Sequence, residues 1–233
     1  MTEQLFRDDS YLRECEGIVT GSGDNSIVLD RTVFYPMGGG QPGDTGTIEW
    51  EGGSAEIIDT RYGEDGSIRH LAGEDSALPA AGTAVRAVLD WDRRYLHMRM
   101  HTAMHLLGSI LQYGVTGGNI SAAKSRLDFD MEETVDKEAV GAALTALVAA
   151  DHPVSCRWIT DEELDAQPEL VRTMSVKPPK GAGKVRLLEI EGVDLQPCGG
   201  THLKSTAEVG NVSIGKVEKK GRRNRRVNIL LDQ

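Results

Sequence analysis

The chain has 233 residues, 39% of them hydrophobic and 27% charged, with a formal net charge of −10 that by itself argues against a nucleic-acid partner. This length holds one large or two modest domains, and the composition allows a true core. Three features narrow the class further: the start lacks the basic and apolar runs of a signal peptide, no window approaches the ~20 apolar residues of a membrane span, and Cys15, Cys156 and Cys198 are too sparse for a disulfide framework. A cytoplasmic protein with no membrane role is expected.

From Gly17 to Asp90 the pattern predicts short strands separated by Gly, Asp and Ser turns. The clearest are Ser26–Leu29, Thr32–Tyr35, Gly46–Trp50, Ala55–Ile58, Ser67–Leu71 and Ala84–Leu89. Strands of that length and spacing predict a small β-barrel. Within them lies Tyr35-Pro36-Met37-Gly38-Gly39-Gly40-Gln41-Pro42-Gly43-Asp44-Thr45-Gly46, too rich in glycine and proline for a regular element. A wide loop is the plain reading. The functional one is that the glycines, Gly38, Gly39 and Gly40 among them, let backbone N–H groups approach an anion or a sugar closely. No Gly-Lys-Ser/Thr follows, so ATP is not expected.

The composition changes at Asp90, which divides the chain into a glycine-rich barrel domain, residues 1–89, and a second domain, residues 90–233. The second opens with a helix through Arg94–Leu107, since Leu96, Met100, Met104, Leu107 and Leu111 recur at three- and four-residue steps. Asp90 or Asp92 can cap its start, and Gly114 can stop it. A glycine-broken connection, Gly114–Asn119, leads to a strand over Ser125–Asp130, a helix over Asp136–Ala150 and a strand over Val154–Ile159. Thr160–Glu163 has the form of a capping box opening a short helix. A loop over 177–183, a strand over Lys184–Ile190 and two strands around Asn211–Ile214 and Arg226–Leu231 complete an α+β layered domain.

His101 and His105 stand one turn apart on the first helix, so both imidazoles share a face. In Gln196-Pro197-Cys198-Gly199-Gly200-Thr201-His202, the proline and glycines predict a tight loop offering a thiolate and an imidazole. Together His101, His105, Cys198 and His202 make a natural tetrahedral zinc set, one Zn2+ per chain. His97, a further turn back, reads equally as a group beside the metal or substrate and as a surface histidine. Thr102-Ala103-Met104 between the helix histidines contains no glutamate, which excludes the zinc-protease motif. Four protein ligands close a tetrahedral ion, so either one ligand exchanges with water or the ion only shapes a pocket. Near the C-terminus, Lys216, Lys219, Lys220, Arg222, Arg223, Arg225 and Arg226 form a basic stripe interrupted by one acid, Glu218. It reads as a phosphate footprint or as a solvated loop between two strands.

His101-Thr102-Ala103-Met104-His105-Leu106-Leu107, Asp194-Leu195-Gln196-Pro197-Cys198-Gly199-Gly200-Thr201-His202 and Tyr35–Pro42 resemble the editing region of alanyl-tRNA synthetase. They are still more similar to its stand-alone relatives, the alanyl-tRNA editing proteins of the AlaX type, and the length fits their medium-length class. The resemblance runs from about Thr32 to Leu231. It implies an N-terminal barrel joined to an α+β editing domain, and zinc on His101, His105, Cys198 and His202. The implied activity is hydrolysis in trans of mischarged tRNA(Ala), chiefly seryl-tRNA(Ala), with glycyl-tRNA(Ala) a further candidate, sparing alanyl-tRNA(Ala). The group that discriminates the substrate then falls in the segment after the histidine helix, where Thr116, Asn119 and Ser121 are candidates, and Gln41 is a further substrate-side candidate. The tRNA surface falls on Lys219, Lys220, Arg222, Arg223, Arg225 and Arg226 with Gly38, Gly39 and Gly40. An activated ester needs only a polarising metal, a zinc-bound water and backbone donors, so Cys198 is better used as a ligand than as a nucleophile. Two other functions fit the same residues: a non-catalytic tRNA-binding module with a structural zinc, and editing of seryl-tRNA(Thr). Oligomeric state and general base leave no mark in the sequence.

Overall fold

The computed structural model describes residues 2–174 and 183–232, and the loop expected over 177–183 falls almost wholly outside them. The chain divides into two compact units, Met1–Tyr95 and Leu96–Gln233. The architecture is α+β, with a closed β-barrel in the first unit and two sheets with helices in the second. Among the described residues no helix is long and apolar enough to cross a membrane.

The first unit contains β1 (Glu3–Gln4), β2 (Glu14–Gly23), β3 (Ser26–Leu29), β4 (Arg31–Thr32), β5 (Gly46–Trp50), β6 (Gly53–Tyr62), β7 (Ile68–Ala72) and β8 (Ala84–Leu89). Six of these close a barrel in the order β2-β3-β7-β6-β5-β8, while β1 and β4 pair in parallel. Alternation makes the barrel: Val19, Ile27, Leu29, Ile48, Ile57, Val85 and Ala87 are buried in one core, as inward positions of a small barrel must be. The expected strand over Thr32–Tyr35 is corrected to β4 alone. Beyond Thr32 the backbone turns to side chains, with Phe34 N–H on Thr32 Oγ1 at 3.0 Å and Tyr35 N–H on Asp44 Oδ2 at 2.6 Å.

The glycine segment is a loop with two kinds of glycine. A side chain at Gly43 or Gly46 would collide with the Thr60 or Val88 carbonyl, so these two are needed for packing. Gly39 and Gly40 instead have φ of 57° and 84° in a tight turn closed by Gly38 and Gln41. Asp44 in the same loop pairs with fully buried Arg94, which also donates to the Ser10 carbonyl at 3.0 Å and the Val33 carbonyl at 2.7 Å.

Helix α1 (Trp91–Leu111) contains the division between the units. Asp90 Oδ1 accepts the Arg93 N–H at 3.1 Å, which selects Asp90 over Asp92 as the cap. The helix ends before Gly114, because Gln112 already takes the left-handed conformation at φ 54°. In the second unit follow β9 (Val115–Asn119), β10 (Lys124–Asp130), α2 (Lys137–Ala149), β11 (Val154–Ile159), α3 (Asp161–Asp165), β12 (Val185–Ile190), β13 (Asp194–Pro197), β14 (Val212–Gly221) and β15 (Asn224–Leu231). The sheets run β14-β15-β10-β9 and β11-β12-β13. The Thr160–Glu163 capping box forms as expected. The glycine-broken connection, in contrast, is strand β9. Its place at a sheet edge tolerates Gly117 and Gly118, and a side chain at Gly118 would press on Leu127 Cδ2 at 3.1 Å.

Candidate metal centre

Helix α1 presents His101 and His105 at one-turn spacing. The chain leaving β13 at Pro197 brings Cys198 and His202 to meet them. One nitrogen or sulfur from each of the four lies within 4.8 Å of all the others. Cys198 Sγ is 3.6 Å from His101 Nε2 and 3.1 Å from His202 Nε2. Around a tetrahedral ion, with metal–nitrogen bonds of about 2.0–2.1 Å and a metal–sulfur bond of about 2.3 Å, donor atoms stand roughly 3.3–3.7 Å apart. The spacing therefore fits a metal ion.

Outer partners orient these donors. Buried Thr102 accepts from the Leu203 N–H and sits 3.3 Å from His202 Nδ1, leaving Nε2 for the cluster. Asp194, its side chain 1% exposed, lies 3.5 Å from His105 Nδ1 and 3.0 Å from Arg172 Nη1, and accepts from Gln196 Nε2. Arg186 shapes the loop by donating Nη1 to the Cys198 carbonyl at 3.0 Å and the Gly200 carbonyl at 2.8 Å.

The electrostatics call for a cation. Burial raises the Cys198 thiol, but the surrounding imidazoles of His101, His202 and His105 outweigh it and hold the thiol well below its usual value. Burial, reinforced by His101, keeps His202 neutral. Burial also works to lower His105, yet Cys198 on one side and Asp194 on the other draw positive charge to it and raise it to about 9. The Cys198 thiolate and the neutral His202 imidazole are donor forms that a transition metal takes, and an ion bound by His105 as well would displace the proton that this imidazole holds.

The other expected residues fare unequally. His97 is 3% exposed, which rules out a surface histidine. Thr116 donates to the Asp128 carbonyl at 3.1 Å and accepts from Asn224 Nδ2, Ser121 donates to the Lys124 carbonyl at 2.6 Å, and Asn119 is exposed. Gln41 is fully buried in the first unit, whereas Gly39 and Gly40 are exposed there.

The basic stripe is a β14–β15 hairpin, not a loop between strands. Lys216, Lys219, Lys220, Arg222 and Arg223 are exposed on it. Arg225 must be removed from the phosphate-facing set: it is 7% exposed and donates to the backbone carbonyls of Glu132, Glu133 and Gly221. Arg226 forms a two-pronged pair with Asp128 at 2.8 and 2.9 Å, so its charge is largely answered within the sheet.

Sequence reasoning assigned no role to Thr102, Arg172, Arg186 or Asp194. Thr102 and Asp194 lie inside the two ligand phrases, and that proximity was the available signal.

Known proteins align with both halves of the chain. Residues 3–93 match the family of tRNA synthetases class II (A), and residues 185–228 match the threonyl and alanyl tRNA synthetase second additional domain. The chain is 39% identical over 243 residues to the alanyl-tRNA editing protein AlaX-M of Methanosarcina acetivorans, covering 99% of each. It is 35% identical over 232 residues to AlaX-M of Saccharolobus solfataricus, covering 97% of this chain and 98% of that one. Against AlaX-L of Pyrococcus horikoshii it is 34% identical over 233 residues, 95% of this chain and 56% of that longer protein.

Proposed function

The chain belongs to the alanyl-tRNA editing proteins, and from that premise we propose that it is a cytoplasmic aminoacyl-tRNA deacylase acting in trans on mischarged tRNA(Ala). Its substrates are chiefly seryl-tRNA(Ala), with glycyl-tRNA(Ala) a further candidate, and alanyl-tRNA(Ala) is spared. Residues 1–89 serve as the barrel domain and residues 90–233 as the editing domain. The observation that carries the reading is the four-donor cluster of His101, His105, Cys198 and His202 in a chain of this family.

Those four residues hold one Zn2+. Where one of the four donors gives way, a zinc ion held there would supply Lewis-acid chemistry, polarising an ester carbonyl or lowering the pKa of a water to about 7. The chain's own part is positioning. Thr102 beside His202 Nδ1 leaves that residue's Nε2 to bind, the Asp194 carboxylate stands 3.5 Å from His105 Nδ1 as its charge partner, and Arg186 gathers the Cys198 and Gly200 carbonyls into a fixed loop. Discrimination of serine from alanine requires a polar group that alanine leaves unpaired. Asn119 is the candidate whose side chain makes no hydrogen bond among the described residues; Thr116 and Ser121 already donate to carbonyls. Lys219, Lys220, Arg222 and Arg223 meet phosphates of the tRNA, and the exposed turn residues Gly39 and Gly40 offer it backbone amides, the Gly38 N–H being taken by the Gln41 carbonyl at 3.1 Å.

Single-turnover deacylation of seryl-tRNA(Ala) and alanyl-tRNA(Ala), with and without a zinc chelator, tests the proposal. Rapid loss of serine with alanine retained, abolished by chelation, is expected. The count of four protein donors also supports a second reading, a tRNA-binding module with a structural zinc. That reading predicts tRNA binding with no release from either ester, which would overturn the first.

A further inference from the structure

Trp158, Arg186 and Cys198 lie in one row across three adjacent chain segments. Trp158 of β11 is paired with Arg186 of β12. On the other side of Arg186, one residue beyond the Leu187–Pro197 pair, the Cys198 N–H donates to the Arg186 carbonyl at 3.0 Å. Cross-strand partners project from the same face of a sheet, and two strand spacings amount to about 10 Å. The opposite face is closed, since Ile159, Val185 and Leu187 pack there with Leu164 and Leu170. Trp158 therefore stands at the rim of the face that carries the metal cluster. Cys156, two residues before it, pairs with Leu188 and projects from that same face.

Its indole is also the odd one among three tryptophans. Trp91 has two ring contacts and a cation–π contact, and Trp50 packs on the barrel core. Trp158 is 44% exposed and makes no ring or cation–π contact among the described residues. Strand β11 is a sheet edge, and Ser155, Cys156, Arg157 and Trp158 are all exposed along it. Arg186 is held by two loop carbonyls and does not cover the ring.

We propose that Trp158 is the stacking platform for the terminal base at the 3′ end of the tRNA. The inference rests on the reading of the chain as an aminoacyl-tRNA deacylase. The scissile ester is borne by the terminal ribose, so an ester at the metal cluster puts its base one nucleoside away, the scale that separates Cys198 from Trp158. Aromatic faces are a standard means of holding an unstacked base at a single-stranded end, and they need no hydrogen-bond code.

Steady-state deacylation by the full chain tests it through Trp158→Ala and Trp158→Phe. The alanine variant is expected to raise KM for seryl-tRNA(Ala) about 5- to 150-fold, the range of base–aromatic stacking, with kcat and zinc content little changed. The phenylalanine variant retains a ring and stays close to the parent. A parental KM in Trp158→Ala overturns the proposal. A second arm does not depend on turnover: with Trp50→Phe and Trp91→Phe, Trp158 is the sole tryptophan, and its emission is followed during titration with uncharged tRNA(Ala). Quenching by intact tRNA but not by tRNA lacking its terminal nucleotide supports the platform, and equal responses to both refute it. Absence of deacylation in the parent protein would instead refute the enzymatic reading, leaving the fluorescence arm to decide the base contact.

Discussion

Asp194→Asn tests how the metal cluster is held. The carboxylate is 1% exposed, 3.5 Å from His105 Nδ1 and 3.0 Å from Arg172 Nη1, with Gln196 Nε2 donating to it as well. An amide of the same shape keeps the packing. It removes the negative charge, and when its N–H group faces His105 it no longer favours a proton on Nδ1. The imidazole then loses the partner that fixes its tautomer and leaves Nε2 for the ion. Loss of such an outer carboxylate costs about 10- to 100-fold in metal affinity, or roughly 1.4–2.7 kcal/mol. Arg172 is 27% exposed and keeps the Gly108 carbonyl at 3.5 Å, so a general collapse is not expected. The assay is competition for Zn2+ between the full chain and a chromophoric chelator, with His105→Ala as the ligand-deleted reference. Saturating zinc should restore deacylation in Asp194→Asn but not in His105→Ala. Parental zinc affinity in Asp194→Asn would refute the positioning role, and a loss as deep as that of His105→Ala would show that the loop itself had failed.

Three further outcomes follow from the same structure. Arg94→Met strands the Asp44 carboxylate, itself 1% exposed, and should destabilise the chain by about 3–5 kcal/mol in urea denaturation; a loss under about 1 kcal/mol would mean that water reaches the pair. His70 is lowered from 6.5 to about 4 by burial, its Nδ1 on the Ile27 carbonyl and its Nε2 on Thr32 Oγ1. Its folded-state pKa is the lower one, so its contribution is complete above 6.5 and is lost as pH falls towards 4, a difference of roughly 3 kcal/mol. Denaturation of the parent and His70→Gln across that window should show a steeper decline in the parent, and parallel curves would contradict a buried neutral imidazole. Neutralising Lys219, Lys220, Arg222 and Arg223 together should weaken tRNA binding and reduce the log–log salt slope by about 0.7–0.9 for each phosphate they had been neutralising, while an unchanged slope would exclude the hairpin from the interface.

What was legible in the sequence followed the range of the physics involved. Strands such as Gly46–Trp50 and Ala84–Leu89 were found with their true limits because alternation and bounding turns are local. The same locality misled at Gly117-Gly118, where glycine reads as a break; β10 beside it supplies the ladder that makes β9 a strand. At Thr32–Tyr35 the β-forming residues were present, but Thr32 Oγ1 and Asp44 take the amides a partner strand would need. Tertiary partners decided both cases.

The centre divides along the same line. His101 and His105 are one helical turn apart, and Cys198 and His202 share one short loop, so each pair was legible alone and only their meeting was left to the fold. Charge was the weaker guide. Arg222 and Arg225 are three residues apart in one basic run, yet Arg222 has a side chain 90% exposed while Arg225 is buried against the carbonyls of Glu132 and Glu133. Composition counts both as one charge each. Burial and partners differ because Arg222 lies in the hairpin turn and Arg225 on the inward face of β15 with Val227 and Ile229. A strand's two-residue period thus sorts a basic run into structural and available charges once the hairpin's limits are known, and from Asn224 onward it sets Arg225 on the face of Val227 and Ile229 and not in the phosphate-facing set.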